Sequence, residues 1–292
     1  MSKVWLITGS SRGFGRSLAE AVLAKGDQLV ATARKTEQIA DLTERYGSQV
    51  RIVQLDVNRF EQTEAAIKVA FEAFGRLDVL VNNAGYGNVS SIEETSMEDF
   101  RAQVETNLWG VINVTKAALP MMREQGSGHI VQFSSIGGRT GAPGLGPYQT
   151  AKWAVEGFSE VLSKEVGPLG LKVTLIEPGG FRTDWAGSSM QHIEPRDEYK
   201  ETVGGLLKHL RDVTGKENGD PDKAAQAIIT MVNEENPPLR LLLGSDAVAI
   251  ANAVDSGKLA ETKRWEKLSL STDFEARELD PAVTRMYDEF EE

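Results

Sequence analysis

The chain opens with the stretch KVWLITGSSRGFG, residues 3–15, in which a short apolar run leads straight into three glycines. The apolar run predicts a buried β-strand, and the glycine-rich turn after it predicts the start of a helix. Gly9 would let the chain turn sharply, Gly13 would let backbone N–H groups approach a phosphate, and Gly15 would let the helix pack against the strand. The stretch therefore predicts a strand–turn–helix unit able to bind a pyrophosphate, with a tight turn that binds nothing as the alternative.

Short apolar runs alternate with helical patterns along most of the chain. After the first strand the runs are QLVATA, VRIVQLDV, LDVLVN, HIVQFSS, LKVTLIEP and PLRLLLG. Such alternation is typical of parallel βαβ units with helices on both faces of one sheet. Between Asp184 and Asp220 the strand pattern gives way to polar sequence. This predicts an insertion over the carboxyl edge of the sheet, where lids tend to lie.

The composition excludes several classes of protein. The chain has 292 residues, with 43 acidic and 32 basic side chains and a net charge of −11. This balance argues against general nucleic-acid binding, which needs a basic surface. The chain has no cysteine, which removes disulfides, thiolate catalysis and thiolate metal sites, and we predict no metal site. No stretch has the pattern of a signal peptide or a membrane span, so we expect a soluble protein of the cytoplasm.

The end of the second predicted strand, VATARK, bears on the choice of nucleotide. Dinucleotide-binding folds that take NAD usually place an acidic side chain here for the ribose hydroxyls. This chain has Ala33 followed by Arg34, and Arg12 lies in the glycine turn. A guanidinium can pair with two oxygens of one phosphate, so two arginines suit a 2′-phosphate. The pattern favours NADP(H), with a solvated surface charge as the alternative for Arg34.

The fifth predicted strand and the helix after it carry side chains suited to catalysis. The strand ends in FSS, with Ser135 last, and the stretch PYQTAKW at residues 147–153 begins the helix. Tyr148 and Lys152 then lie one turn apart on the same helix face. An adjacent ammonium favours the phenolate, so we expect Lys152 to lower the pKa of Tyr148 towards the working range. Tyr148 could then donate a proton to a substrate oxygen that Ser135 holds; core packing is the alternative role for Tyr148.

The chain resembles the short-chain dehydrogenase/reductase family, because seven motifs occur in it in the same order as in that family. The motifs are TGSSRGFG, LDV, NNAG, Asn107 in ETNLWG, Ser135, YQTAK and PGGFRT, and Ser135 precedes Tyr148 by the thirteen residues that the family uses. The resemblance covers about residues 3–185 in motifs and most of the chain in strand order. It implies a single-domain, Rossmann-like α/β fold over residues 1–292, with about seven strands in a doubly wound parallel sheet and helices on both faces.

Two regions follow the matched motifs. The insertion at about 184–220 is expected to be a substrate lid, and a C-terminal extension covers about 265–292. The extension resembles the branch that includes hydroxysteroid and retinol dehydrogenases.

The resemblance also implies an NAD(P)-dependent oxidoreductase that transfers hydride between a nicotinamide and a carbonyl or secondary alcohol. Tyr148 would be the general acid/base and Ser135 the carbonyl anchor. Lys152 would hold the nicotinamide ribose and tune Tyr148, and Asn107 would support a water that passes protons to Lys152. Because cells keep NADPH reduced, reduction of a ketone or aldehyde is the expected direction.

The matched motifs also imply which residues bind NADP(H). Asp56 and Val57 would contact the adenine, residues 83–85 its ribose, and the PGGFRT motif would seat the nicotinamide. Phe14 stands where a smaller aliphatic side chain is common, which is expected to alter helix packing. The full set is Gly9, Ser11, Arg12, Gly13, Phe14, Gly15, Arg34, Asp56, Val57, Asn83, Ala84, Gly85, Tyr148, Lys152, Pro178, Gly179, Phe181 and Thr183.

The substrate site is expected to join the catalytic hydroxyls to apolar side chains. Beside Ser135 and Tyr148, the candidates are Leu145, Trp185 and Met190. Such side chains commonly line small-molecule sites, so they favour an apolar or aromatic ketone or aldehyde. Of the histidines, His209 is interpreted as a residue on a helix surface.

The family resemblance implies a homodimer or homotetramer formed through the helices at about 96–124 and 147–166. Trp109, Trp153 and Phe158 are the apolar candidates for that interface, with core packing as the alternative for each. Two other functions remain open. One is a non-catalytic NADP(H) redox sensor on the same fold, and the other is a lyase or epimerase that retains its cofactor.

Overall fold

Seven parallel β-strands form the central sheet of the protein. The computed structural model describes residues 2–187 and 190–274. The strands are β1 (Val4–Ile7), β2 (Gln28–Ala33), β3 (Val50–Gln54), β4 (Val79–Asn82), β5 (Gly128–Phe133), β6 (Leu171–Pro178) and β7 (Arg240–Leu243). Their order across the sheet is β3-β2-β1-β4-β5-β6-β7, and each neighbouring pair is parallel. The predicted doubly wound sheet is confirmed, and the chain reverses direction across the sheet between β1 and β4.

Helices connect these strands, as the alternating pattern predicted. Those in the described residues are α1 (Gly13–Ala24), α2 (Ala40–Tyr46), α3 (Phe60–Phe74), α4 (Met97–Val104), α5 (Gly110–Gln125), α6 (Gly146–Val166), α7 (Val203–Val213), α8 (Pro221–Val232) and α9 (Ser245–Leu270). The long helix expected at about 96–124 consists of α4, a π-helical turn at Glu105–Trp109, and α5. Ser96 caps its first turn by accepting a hydrogen bond from the backbone N–H of Asp99.

Helices pack on both faces of the sheet because successive side chains of a strand point to opposite faces. On one face, Trp5 and Ile7 of β1 belong to a core that includes residues of α1 and α8. On the other face, Leu6 packs in a core with residues of α3, α5 and α6. Burial on both faces explains why the strands read as continuous apolar runs.

The insertion that follows β6 has an apolar core of its own. Within it, Val203 and Leu207 of α7 pack against Val89, which follows β4, and Leu145, which precedes α6. A backbone hydrogen bond from the N–H of Val89 to the carbonyl oxygen of Gln191 adds a second link. The insertion is therefore attached to two of the segments that lie beside the carboxyl ends of the strands.

The chain divides into two units, residues 1–251 and 252–292. The first contains the sheet and the helices α1–α8. In the second, the described residues continue α9 as far as Leu270, and the greater part of the expected C-terminal extension lies outside the described residues. Within the described ranges, none of the helices combines the length and apolar character that crossing a bilayer requires.

The packing of α1 on β1 makes Gly15 a test of the fold. A methyl group on Gly15 would overlap the carbonyl oxygen of Gly9 and the side-chain amide of Asn83. We expect Gly15→Ala to lower the free energy of unfolding by about 1–3 kcal/mol, because the backbone of Gly9 cannot easily move away from the added methyl group. Urea denaturation of the purified protein, without added nucleotide, measures this difference.

The matched control is Gly205→Ala on α7, where a methyl group would meet no atom within 4 Å. Alanine is the better helix former, so this variant should keep or slightly raise stability, by up to about 1 kcal/mol. Equal stability of the two variants would contradict the tight packing of α1 on the glycine turn.

Candidate active site

A cavity of about 1370 Å³ lies at the carboxyl ends of the strands. In open α/β sheets ligands bind at this edge, in the crevice where the strand order reverses. Every strand end contributes to the lining: Gly9 after β1, residues 33–35 at the end of β2, residues 55–58 after β3, residues 83–86 after β4, residues 133–137 at the end of β5, residues 178–181 at the end of β6, and Asp246 and Ile250 after β7. The cavity therefore brings together motifs that are far apart in the sequence.

The glycine turn presents backbone to this cavity. Gly9 and Gly13 have φ angles of 70° and 54°, which residues other than glycine rarely adopt. Arg12 precedes the first helical residue of α1, and no side chain caps this helix end. The free backbone N–H groups of the first turn suit a pyrophosphate, so the turn fits the expected dinucleotide. Ser11, Gly13 and Phe14 line the cavity, whereas Gly15 lies beneath it against Gly9.

Basic side chains line the end of the cavity beside β2. Arg12, Arg34 and Lys35 are all among the lining residues, while Ala33 occupies the position where an acid is common. Asp56 and Val57 line the same end. The basic side chains on which the predicted preference for a 2′-phosphate depends therefore lie at this end of the cavity, and the preference itself stays a prediction. Lys35 was missed by the sequence analysis because a charged side chain after a strand is most often solvated surface.

The segment after β4 is bound tightly to the glycine turn. The backbone N–H groups of Asn83 and Ala84 donate to the Thr8 hydroxyl at 2.9 and 3.0 Å. The side-chain amide of Asn83 donates to the carbonyl oxygens of Thr8 and Gly9 at 2.9 and 3.2 Å. Asn83 thus braces the turn, while Ala84 and Gly85 leave their backbone exposed to the cavity.

Asn107 lies in the π-helical turn between α4 and α5, and it is fully buried. Its Oδ1 accepts the N–H of Tyr86 at 3.1 Å, and its Nδ2 donates to the carbonyl oxygens of Tyr86 and Gln103 at 2.8 Å each. Insertions of this kind in a helix are frequent at functional sites, because they turn a side chain out of the regular pattern. Here the turn directs Asn107 towards the segment after β4.

Three polar side chains meet at the start of α6. Gly146 begins this helix and Pro147 follows it, so Tyr148 lies in the first turn and Lys152 one turn later. The Ser135 hydroxyl hydrogen-bonds Tyr148 and accepts the N–H of Gly137 at 3.0 Å. The Lys152 ammonium donates to the carbonyl oxygen of Phe133 at 2.7 Å and lies 5.7 Å from the centre of the Tyr148 ring. The structure therefore brings together the predicted serine, tyrosine and lysine.

The pKa of Tyr148 lies above its ordinary value, whereas the sequence analysis expected a shift towards the working range. Burial raises the pKa of Tyr148 to about 12, and the hydrogen bond from Ser135 opposes that rise only in part. Burial also lowers the pKa of Lys152 to about 8, with the charge of Glu156 acting in the opposite direction. The physical reason is that both groups have lost water, which disfavours the charged form of each. Tyr148 is consequently a protonated phenol at neutral pH.

The expected substrate residues divide into two groups. Leu145 and Trp185 line the cavity, and the Trp185 ring lies 5.3 Å from that of Tyr148. Met190 is not among the lining residues; it packs against the apolar core of the insertion. On α7, His209 is exposed as expected but also lines the cavity, together with Leu210 and Val213. The spacing of these three along one helix was the available signal for them.

Aromatic packing supports the segment that follows β6. The Phe14 ring lies 5.4 Å from that of Phe133 and 4.9 Å from that of Phe181. The unusual side chain at position 14 is thus one of three packed rings. The backbone N–H of Gly180 donates to Asp246 at 2.7 Å, which holds the same segment from the start of α9. The sequence analysis singled out neither Phe133 nor Asp246.

Comparisons with known proteins agree with this arrangement. The sequence profile of short chain dehydrogenases matches residues 3–194. The oxidoreductase BOA17 of Botryotinia fuckeliana is 50% identical over 273 residues, covering 93% of this chain and 100% of that protein. The crystal structure of a short-chain dehydrogenase from Streptomyces avermitilis is 41% identical with a TM-score of 0.87, covering 93% of this chain and 98% of that one.

A further structure is that of an alcohol dehydrogenase from the archaeon Thermococcus sibiricus, complexed with 5-hydroxy-NADP. It is 29% identical with a TM-score of 0.69, covering 83% of this chain and 96% of that one. Both the matched profile and the relatives span well over half of the chain. The chain therefore belongs to the short-chain dehydrogenase family, and it is an oxidoreductase of this NAD(P)-dependent type.

Proposed function

We propose that this protein is an NADPH-dependent carbonyl reductase that acts on apolar or aromatic ketones or aldehydes. The observation that carries the proposal is the meeting of Ser135, Tyr148 and Lys152 in one cavity with the uncapped start of α1. A sensor of the NADP(H) redox state would have no use for a buried lysine beside a buried phenol, whose charged forms are both costly.

The cofactor preference rests on charge at the β2 end of the cavity. Arg12, Arg34 and Lys35 line that end, and Ala33 leaves it without the acid that would repel a 2′-phosphate. The relative from Thermococcus sibiricus was crystallised with 5-hydroxy-NADP, a molecule that carries this phosphate. We propose NADP(H) as the preferred form on these grounds.

The chain's own groups account for the proton transfer. Pro178, Gly179, Phe181 and Thr183 would hold the nicotinamide of a bound cofactor, which would supply the hydride in its reduced form. The hydroxyls of Ser135 and Tyr148 donate hydrogen bonds to the substrate carbonyl oxygen and stabilise its growing negative charge. Because burial keeps the pKa of Tyr148 at about 12, the phenol still carries its proton when an alkoxide, a far stronger base, forms beside it. The nearby Lys152 ammonium then favours the resulting phenolate.

The substrate class follows from the other wall of the cavity. Leu145, Trp185, Leu210 and Val213 present apolar surface there, and Trp185 packs on the catalytic tyrosine. Such walls exclude water and favour an apolar or aromatic group beside the carbonyl.

Several further predictions accompany the proposed activity. Trp109 and Trp153 are 50% and 47% exposed on the helices expected to form a homodimer or homotetramer, whereas Phe158 packs in the core. A cytoplasmic location, the single-domain organisation and the likeness to hydroxysteroid and retinol dehydrogenases all stay predictions.

Replacement of the tyrosine tests the acid role. We expect Tyr148→Phe to lower kcat/KM for a carbonyl substrate by about 10²–10⁴-fold, because the proton donor is lost while the ring volume is kept. NADPH affinity, measured by fluorescence titration, should change little. The matched control is Tyr46→Phe on α2, which should retain full activity. Unchanged turnover by the Tyr148 variant would exclude the phenol as the acid.

Charge reversal at Arg34 tests the cofactor preference. Since a charge-assisted hydrogen bond contributes about 1.5–3 kcal/mol, Arg34→Glu should raise the KM for NADPH by about 10- to 100-fold. The KM for NADH should stay the same or fall, as measured in parallel steady-state assays. Arg59→Glu, an exposed charge at the start of α3 outside the cavity, is the control. An equal loss with both nucleotides would argue against recognition of the 2′-phosphate.

The buried lysine should make stability depend on pH in a defined direction. The pKa of Lys152 falls from 10.5 to about 8 on burial, so the unfolded chain holds this proton more tightly. The cost, about 3 kcal/mol, is fully present below pH 8 and disappears as the pH rises through 10.5. The free energy of unfolding of Lys152→Met, relative to that of wild type, should therefore be about 3 kcal/mol higher at pH 7 than at pH 10.5.

Urea denaturation at both pH values measures this change, with the exposed Lys116→Met on α5 as the control. A stability difference between Lys152→Met and wild type that does not vary with pH would show that the ammonium is not buried as described.

A further inference from the structure

Four charged side chains form a buried network beneath the cavity. They are Arg139, Glu156, Glu177 and Arg240, which we call the clamp. The Glu177 side chain is fully buried and that of Glu156 is 10% exposed, while the arginines are 20% and 25% exposed. None of the four is among the residues that line the cavity. The clamp therefore has no direct access to a ligand, and the proposed reaction does not use it.

The contacts within the clamp are close and multiple. Arg139 Nε donates to both carboxylate oxygens of Glu177 at 2.9 Å. Arg240 Nε donates to Glu156 Oε2 at 2.9 Å and lies 3.7 Å from Glu177 Oε1. Arg240 Nη2 also donates to Glu160 Oε2 at 2.7 Å. Arg240 of β7 thus joins the two glutamates of α6 to the glutamate of β6.

Three of the four members of the clamp lie next to a part of the proposed active site. Arg139 directly follows the short turn Ile136–Gly138, which Ser135 caps with its hydroxyl. Glu177 directly precedes Pro178, where the proposed nicotinamide seat begins. Glu156 lies one turn after Lys152 on α6. The clamp therefore links the serine turn, the nicotinamide seat and the catalytic helix.

The serine turn is also pressed against α6 at one glycine. A methyl group on Gly138 would lie 2.6 Å from Ser134 Oγ and 3.0 Å from Glu156 Cγ. The turn has no free space on this side, so its distance from α6 is set by the glutamate that Arg240 holds. Movement of the clamp would move the turn with it.

Stability alone is a poor explanation for such a network. Desolvation of buried charges offsets much of their attraction, and apolar side chains of similar volume often stabilise a core as well or better. The pKa of Glu177 is raised to about 7, chiefly by burial and with Glu156 acting in the same direction, while Arg139 opposes both effects. What such a chain of linked charges provides is a single defined geometry.

We propose that Arg139 and Glu177 are positioning residues whose buried ion pair, held by Glu156 and Arg240, sets the distance between Ser135 and the nicotinamide seat. The inference rests on the proposed function, because that distance would be the one across which a substrate carbonyl meets the nicotinamide. Small errors of placement at this point are costly, since a shift of about 1 Å can reduce a rate about 10²-fold.

The test compares Arg139→Met with wild type. Methionine keeps an apolar stem of similar length and removes the charge. We expect kcat to fall by about 10- to 100-fold per folded molecule, while the KM for NADPH changes by less than about threefold. Glu177→Gln should show the same split, and the double variant should be no slower than either single variant because the pair acts as one unit. Arg139→Lys should recover part of the lost kcat.

The control is Arg76→Met, which removes the ion pair between Arg76 and Asp78 at the opposite edge of the sheet. It should leave kcat unchanged. Hydrogen exchange supplies a readout that does not depend on turnover. In Arg139→Met, amides of residues 134–142 and of residues 178–183 should both exchange faster, whereas those of β1 and β4 should not.

Two failures can be told apart. In the first, the wild-type protein turns over a carbonyl, and Arg139→Met keeps both its kcat and its exchange rates at residues 178–183. This outcome would overturn the proposed role of the clamp and leave the proposed function intact. In the second, the wild-type protein consumes no NADPH with any carbonyl, which would overturn the proposed function. Faster exchange of residues 134–142 and 178–183 together in Arg139→Met would then support only the structural link between these two segments.

Discussion

The close approach of the glycine turn to the end of β4 is the constraint on which the site depends. The Thr8 hydroxyl accepts two backbone hydrogen bonds from Asn83 and Ala84, and the Asn83 side chain returns two to the turn. No side chain fits between these segments, so glycine is required at positions 9 and 15. This contact lies where the strand order reverses, which is the place where a ligand binds in sheets of this kind.

The same constraint gives each half of the cavity its character. Towards β3 the walls are polar and basic, with Arg12 and Arg34, as a nucleotide phosphate requires. Towards β6 Ser135, Tyr148 and Lys152 lie beside an apolar insertion, and exclusion of water raises the pKa of Tyr148 and lowers that of Lys152. Burial of the Lys152 ammonium reduces stability at neutral pH, which is the expected sign of structure retained for function.

Much of this could be predicted from the sequence, because it depends on local pattern. The continuous apolar runs predicted strands buried on both faces, and motif order placed Ser135 and Tyr148 at one edge. What failed needed knowledge of burial or of long-range packing. The pKa of Tyr148 depends on how much water the fold removes, and the position of Met190 depends on how the insertion folds. Arg139 and Glu177 are distant in sequence, and nothing local distinguishes them from surface charges.

The central claim is that these groups reduce a carbonyl with NADPH. The most direct measurement is the consumption of NADPH by wild-type protein, followed by its absorbance, against a panel of apolar and aromatic ketones and aldehydes with NADH in parallel. The account predicts turnover with at least one apolar carbonyl and a clear preference for NADPH. Tight NADPH binding without consumption by any member of the panel would contradict it and favour a protein that senses the nucleotide.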